Sequence, residues 1–342
     1  MQRKKIVTIG GGNGSFTLLN GLKKYSVDLT AIVSMTDNGG ASGVLRDELG
    51  VLPPGDVRQC LVALSDSSEM LRKLMNYRFE EGGLKGHSFG NLLLSALEKI
   101  NGSFAKGVEE AVNILNVKGE VVPVLERDTN ILFELKNGEK ISGVVNVDHS
   151  FDLTKVGLKK ASLFPKAKAS KKAIERLLEA DMIVIGPGHH YCSIIPNLLA
   201  DGIPQAIRDS KAVVVYNCNL VNKQGHTDGF SLDDYVADIN KYLGGSRINF
   251  ATFNSQKPAA YLIKKYADQK ELLVSFDKNQ KTDRNYKIVK ADLVSGERPN
   301  YSKVDVFASR RAFIRHDSDK LAKVLMMILE MGDSESIIKE II

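Results

Sequence analysis

The sequence predicts an α/β protein: a Rossmann-like, three-layer αβα fold around a doubly wound, mostly parallel sheet, with a small antiparallel excursion. Three observations carry that expectation. Short β-branched runs alternate with amphipathic helical stretches along most of the chain. Two of those runs, the first in the chain and one in the second half of the sheet, finish in glycine-rich turns at 10–15 and 186–188. Between them, residues 119–165 carry close-set strands and a hairpin turn instead of helices. With no internal repeat, coiled coil or low-complexity linker, residues 1–342 read as a single α/β domain interrupted by that excursion.

Taken in order, residues 5–9 form a strand, and Phe16, Leu18, Leu19 and Leu22 follow at helical spacing. A second apolar strand covers 29–35, so the first two strands form a parallel pair joined by a right-handed crossover. Turn formers fill 36–43, and amphipathic helices occupy about 41–115. One opens after Pro53-Pro54-Gly55 with Asp56 near its start, another near Gly86-His87-Ser88. In the excursion, Val121, Val122 and Val124 precede strands at 131–135 and 141–147, joined in part by an Asn137-Gly138 turn. The parallel pattern resumes with helix 171–179 and strands 182–185, 213–216 and 248–252. Helices 232–243, 258–266 and 319–331 complete it.

The bulk numbers narrow the function. A chain of 342 residues with 43% hydrophobic residues has ample material for a core. A net charge of +6, without clustered basic and aromatic residues, gives no footprint of a nucleic-acid partner but suits phosphate-bearing ligands. The three cysteines, Cys60, Cys192 and Cys218, form neither a disulfide framework nor a CxxC pair, which points to the reducing cytoplasm. The N-terminus lacks a signal-peptide apolar region, and no stretch nears the roughly 20 apolar residues of a membrane span.

The candidate chemistry sits in four places. Gly10, Gly11, Gly12, Asn13, Gly14 and Ser15 follow the first strand, where glycines let main-chain amides approach anionic oxygens at a helix N-terminus. The same residues also suit a bare strand-to-helix turn. Asp37 closes the second strand inside a further glycine-rich loop with Asn38, Gly39, Gly40 and Ser42. An acid there binds a ribose hydroxyl, holds a divalent metal against a diphosphate, or makes an Asx turn. Gly186, Pro187 and Gly188 repeat the first design after strand 182–185, with Ser193 placed to cap the next helix. His189 and His190 are adjacent, so one is expected to face the cleft and the other solvent. They do not form a paired zinc site. His87 and Asn91 are four apart, on one face of a helix start, where they could bind diphosphate or His87 could act as acid or base; capping is the alternative. A basic run from Lys159 to Arg176 reads as a solvated face, and the run 310–317 mixes apolar and basic residues that could close a ligand site. Nothing resembles a Ser-His-Asp, CxxC or HExxH motif, so neither a hydrolase nor a zinc enzyme is indicated. A nicotinamide dehydrogenase would rest on the first turn and Asp37 alone.

Together these blocks resemble the YvcK/CofD-like family. The resemblance rests on 10–14, Met35-Thr36-Asp37-Asn38-Gly39-Gly40-Ala41-Ser42-Gly43, the Pro53-Pro54-Gly55-Asp56-Val57-Arg58 block, Gly86-His87-Ser88-Phe89-Gly90-Asn91, 186–188, and 216–229 with its Gly225-His226-Thr227-Asp228-Gly229 block. The family has two branches. One is the magnesium-dependent 2-phospho-L-lactate transferases, which use a guanosine diphosphate carrier. The other is the gluconeogenesis factors, which bind UDP-sugars such as UDP-N-acetylglucosamine and support cell shape and cell-wall synthesis. The blocks at 53–58, 86–91 and 225–229 are similar to the second. The resemblance therefore implies a UDP-sugar-binding regulatory protein rather than an enzyme, homo-oligomeric, with protein partners in cell-wall synthesis. The transferase is the alternative, in which Asp37 would hold magnesium and Asp37 and His87 would be catalytic.

By the same resemblance the glycine bends, Asp37, Asn38, Gly39, Gly40, Ser42, Asp56, Arg58, His87 and Asn91 would surround the diphosphate. Asn219 and Asp228 would lie near the cleft, and Tyr266 and Arg315 would hold the nucleoside. The chain departs from the family pattern at His189 and Cys192, where hydroxyl residues are usual, and at Val44, where an arginine is usual and Arg46 follows two positions on.

Overall fold

The computed structural model describes residues 3–36, 39–143, 153–276, 284–296 and 313–331. Strands β1 (Lys5–Gly10), β2 (Asp28–Val33), β3 (Glu120–Pro123), β7 (Met182–Ile185), β8 (Val213–Asn217), β9 (Phe250–Asn254) and β10 (Lys287–Ala291) form one sheet. Its order is β10-β9-β8-β7-β1-β2-β3, and every pairing is parallel. β1, β7 and β8 are apolar on both faces and buried on both, as a sheet covered by helices on each side requires.

The order of connection matters most for the site. From β1 the chain winds through β2 to β3 in one direction; from β7 it winds through β8 and β9 to β10 in the other. Right-handed crossovers then place the two sets of helices on opposite faces, and the direction of winding reverses between β1 and β7. In that pair Ile9 is level with Ile185, so the turns following both strands emerge at the same height. Helix Gly12–Leu22 leaves β1 and packs against helices Gly55–Leu64 and Ser318–Met331.

β4 (Asn130–Leu135), β5 (Lys140–Ser142) and β6 (Leu158–Phe164) make the antiparallel excursion, ordered β5-β4-β6. Ile131, Phe133 and Leu135 alternate inward, and Gly138 closes the β4–β5 turn by donating to the Leu135 carbonyl at 3.0 Å. The little sheet is docked, with Phe133 edge-on to Tyr191 at 6.1 Å between ring centres. The excursion is narrower than the spacing suggests: the valines at 121 and 122 lie in β3, which pairs parallel with β2 at the edge of the main sheet. The second half of the expected strand at 141–147 lies outside the described residues.

Candidate functional site

The two glycine bends meet. A Cβ on Gly14 would lie 2.0 Å from the Pro187 carbonyl oxygen and 2.5 Å from its carbon, so the helix that leaves β1 presses directly on the backbone after β7. Gly186 has φ +71, a left-handed conformation that favours glycine, and its carbonyl accepts from Asn217 Nδ2 at 3.2 Å. Gly10 packs on the Ser15 hydroxyl and Gly188 lies beside the Gly11 carbonyl. Main-chain groups from both halves of the sheet are thereby gathered at the switch point, where open α/β sheets bind ligands.

A pocket of about 330 Å³ opens there, near the lower end of the roughly 300–1,000 Å³ usual for small-molecule sites. Gly11, Gly12, Asn13, Gly14 and Gly188 form its floor, and Asn219, Tyr266 and Arg315 stand in its walls. Asn219 donates from Nδ2 to the Gly188 carbonyl at 2.9 Å, while its Oδ1 is buried with no hydrogen-bond partner among the described residues. Tyr266 ties down the wall bearing Arg315: its hydroxyl accepts from the amides of Phe313 at 2.6 Å and Ile314 at 3.3 Å. Behind that wall the Ser295 amide donates to the Arg315 carbonyl at 2.9 Å. His316 is buried in the same wall, and burial pulls its imidazole down to about 4, a neutral ring at physiological pH.

Asp56, in the first turn of helix Gly55–Leu64, reaches the rim of the glycine bend. A Cβ on Gly11 would stand 2.0 Å from Asp56 Oδ2, and that oxygen accepts from Ser193 Oγ at 3.4 Å. Arg58, two residues further along the same helix, points away from the pocket into a buried network. It donates from Nε to Asn91 Oδ1 at 2.9 Å and from a terminal nitrogen to Asn76 Oδ1 at 2.5 Å, and Asn91 donates to Ser42 Oγ at 3.3 Å. Arg58, Asn91 and Ser42 thus brace the elements around the bend and do not line the pocket. Gly39 caps helix Gly40–Leu49 without a side-chain bond. Asp37 and Asn38 lie outside the described residues.

Other expectations change. Helix Phe89–Asn101 begins one residue after Ser88, whose hydroxyl accepts from the Asn91 amide at 3.3 Å. His87 therefore precedes the helix and does not share a helical face with Asn91, and Ser88 supplies the cap. Ser193 does not cap a helix either; it lies inside a π-helical turn, His190–Ile194, that continues directly into helix Ile195–Leu198. Both His189 and His190 border the pocket, and neither faces solvent as one of them was expected to: the His190 ring is turned into the protein. Its Nε2 pairs with Asp238 Oδ2 at 2.8 Å among the rings of Tyr191, Phe230 and Tyr235. Asp228 accepts from the Gly225 amide at 2.9 Å and holds its own loop, one residue from the pocket. Val44 is exposed, and Arg46 turns to Asp47 and to Asn130 at the start of β4. Of the seven residues in the basic run, three pair with acids among the described residues: Lys159 with Glu134, Lys172 with Glu109 and Glu120, Arg176 with Glu120.

Several pocket residues carry no signal in the sequence, Thr17, Gln269 and Glu271 among them, and Glu271 pairs with Lys223 at 2.7 Å across the wall. No local pattern joins them. The segment 310–317 carried a signal, and Arg315 and His316 do face the pocket; residues 310–312 lie outside the described residues.

Comparison with known proteins agrees with this architecture. Residues 6–294 match the family model described as 2-phospho-L-lactate transferase CofD. The gluconeogenesis factor of Bacillus subtilis is 35% identical over 331 residues, covering 96% of this chain and 99% of that one. The gluconeogenesis factor of Halalkalibacterium halodurans is 40% identical over 282 residues, covering 82% and 86%. A crystal structure of a UPF0052 family member from Bacillus halodurans superposes with a TM-score of 0.85 at 36% identity, covering 95% of this chain and 99% of that one. A family match over most of the chain, relatives aligned nearly end to end and the shared doubly wound sheet lead to one conclusion: the chain belongs to the CofD family, among the relatives that carry the gluconeogenesis-factor name.

Proposed function

We propose that this chain binds a UDP-sugar of the UDP-N-acetylglucosamine kind at the switch point and acts as a cytoplasmic regulatory protein supporting cell shape and cell-wall synthesis. The observation that carries the reading is the contact between the two glycine bends beside the pocket, because it brings both bends and the start of helix Gly12–Leu22 to one edge, where main-chain amides would meet a diphosphate. The nucleoside would run toward Tyr266 and Arg315, and the Asn219 Oδ1 would accept a ligand N–H or O–H. Occupancy would alter the surface or a homo-oligomeric interface, and through it the protein partners. Among the described residues no helix is long and apolar enough to cross a membrane, which fits this role.

The family description favours a second reading, a magnesium-dependent 2-phospho-L-lactate-type transferase. In that case Asp37 would hold the metal against a nucleotide diphosphate carrier, with His87 beside the reacting group. Thermal or denaturant unfolding with UDP-N-acetylglucosamine, and separately with GDP plus magnesium, decides between them. At a hundredfold excess over Kd, a ligand specific to the folded state adds about 2.7 kcal/mol. The regulatory reading expects that gain with UDP-N-acetylglucosamine. Stabilisation by GDP and magnesium alone would overturn it.

A further inference from the structure

We infer that His189, Cys192 and His226 form a binding site for a borderline-soft divalent cation of the zinc class, opening onto the pocket. One candidate ligand atom from each residue lies within 4.8 Å of the other two. His189 Nε2 and Cys192 Sγ stand 3.8 Å apart. A tetrahedral centre with metal–nitrogen and metal–sulfur bonds of about 2.05 and 2.3 Å needs those two atoms roughly 3.6 Å apart, so the pair is already spaced for one. The His189 and His226 rings meet edge to face at 82° with centres 4.9 Å apart, leaving a ring nitrogen of each within reach of the same point.

The fold fixes all three. His189 precedes the π-helical turn, and its carbonyl accepts the Ser193 amide at 2.8 Å, which sets His189 and Cys192 one turn apart on the same side. His226 sits in a loop braced throughout. The Lys223 carbonyl accepts from the His226 and Thr227 amides, and the Lys223 amide donates to Thr227 Oγ1 at 2.9 Å. Tyr235 donates to that hydroxyl at 2.8 Å. These bonds fix the loop backbone from which the His226 ring projects. Two imidazoles and one thiolate suit zinc, cobalt or nickel better than magnesium or calcium, which prefer oxygen. Three protein ligands leave a fourth position, and His189, at the pocket wall, directs it toward water or an oxygen of whatever the pocket holds. Binding deprotonates the Cys192 thiol, and the proton passes to solvent. The two departures from the family pattern at 189 and 192 thereby acquire a joint purpose.

The test uses the purified full chain, free of any histidine tag and stripped of metal. Titration with cobalt(II) is expected to give one tetrahedral centre per chain, with a thiolate-to-cobalt charge-transfer band displaced by an equivalent of zinc. Cys60 and Cys218 are buried and burial pushes both thiols up, so the band reports on Cys192. Cys192→Ser should abolish the band, and Cys192→Ser, His189→Ala and His226→Ala should each weaken zinc by at least about 100-fold. Cys192 is only partly buried, so Cys192→Ser decides the matter even if a histidine variant is unstable. The inference is overturned if no thiolate band develops, or if Cys192→Ser binds cobalt and zinc as the parent does. Because the probe is the metal alone, failure here leaves the UDP-sugar reading standing, and the reverse.

Discussion

Replacing Gly14 with alanine probes the contact on which the pocket depends. The added Cβ would meet the Pro187 carbonyl oxygen at 2.0 Å, its carbon at 2.5 Å and Gly188 Cα at 3.0 Å. Ordinary contact begins near 3.4 Å, and every atom in the way belongs to backbone rather than to a side chain that can swing aside. Gly14 lies within helix Gly12–Leu22, where alanine would ordinarily add roughly 1 kcal/mol. An overlap beyond 1 Å against fixed atoms belongs at or above the upper end of the roughly 1–3 kcal/mol that overpacking costs. The net expectation for Gly14→Ala is a loss of about 2 kcal/mol or more. Gly188→Ala supplies the contrast: its Cβ would find only ordinary neighbours, the nearest at 3.6 Å, and a change within about 0.5 kcal/mol is expected. Urea midpoints followed by circular dichroism would measure both variants. Equal midpoints for the two would refute the claim that the bends bear on one another.

Three further outcomes follow from the geometry. The buried His316 ring stays neutral down to about 4, whereas the unfolded chain protonates it near 6.5. Its contribution is therefore complete above 6.5 and declines by about 1.4 kcal/mol per pH unit as pH falls toward 4, about 3 kcal/mol in all; His316→Gln should lose that slope when urea midpoints at pH 7.5 and 5 are compared. Asn91→Ala removes the acceptor of Arg58 Nε and should cost about 2–3 kcal/mol by the same unfolding assay; a cost under about 0.5 would show that the buried guanidinium finds another partner. Tyr266→Phe removes the hydroxyl that accepts two amides of the Arg315 wall and should cost about 1–2 kcal/mol; on the proposed function it also weakens UDP-N-acetylglucosamine roughly tenfold by calorimetry.

What could be read in the chain was local. A β-branched run ending in glycines identifies a strand and its turn without knowledge of anything distant, and so the bends after β1 and β7 were legible. That they touch followed only from the rule that parallel strands place such turns on one edge. Where a distant partner decides, the reading failed. The Val121 strand joins β2 because helix Phe104–Ile114 returns it to the main sheet, and alternation alone cannot separate that from a hairpin strand. His190 turns inward because Asp238, on helix Leu232–Leu243, offers its carboxylate there. One local reading also gives way: His87 and Ser88 are both possible starts for the helix, and the Ser88 hydroxyl, by accepting the Asn91 amide, makes Ser88 the cap. His226 joins His189 and Cys192 only through the fold, and no spacing rule spans that interval.

Asp56 sharpens the question of what the pocket can accept. Its carboxylate lies hard against Gly11, at the bend whose amides would cradle an anion, and a bare phosphate there meets a negative neighbour. Such a neighbour disfavours inorganic phosphate but rewards a ligand that brings a donor or a cation with its charge. A sugar hydroxyl attached to the diphosphate would donate to Asp56, as Ser193 Oγ does at 3.4 Å, and a divalent ion would bridge the two charges. Asp56→Asn keeps the shape and removes the charge. It should therefore tighten free pyrophosphate while weakening the nucleotide sugar, a crossing of preferences that a merely structural carboxylate would not produce.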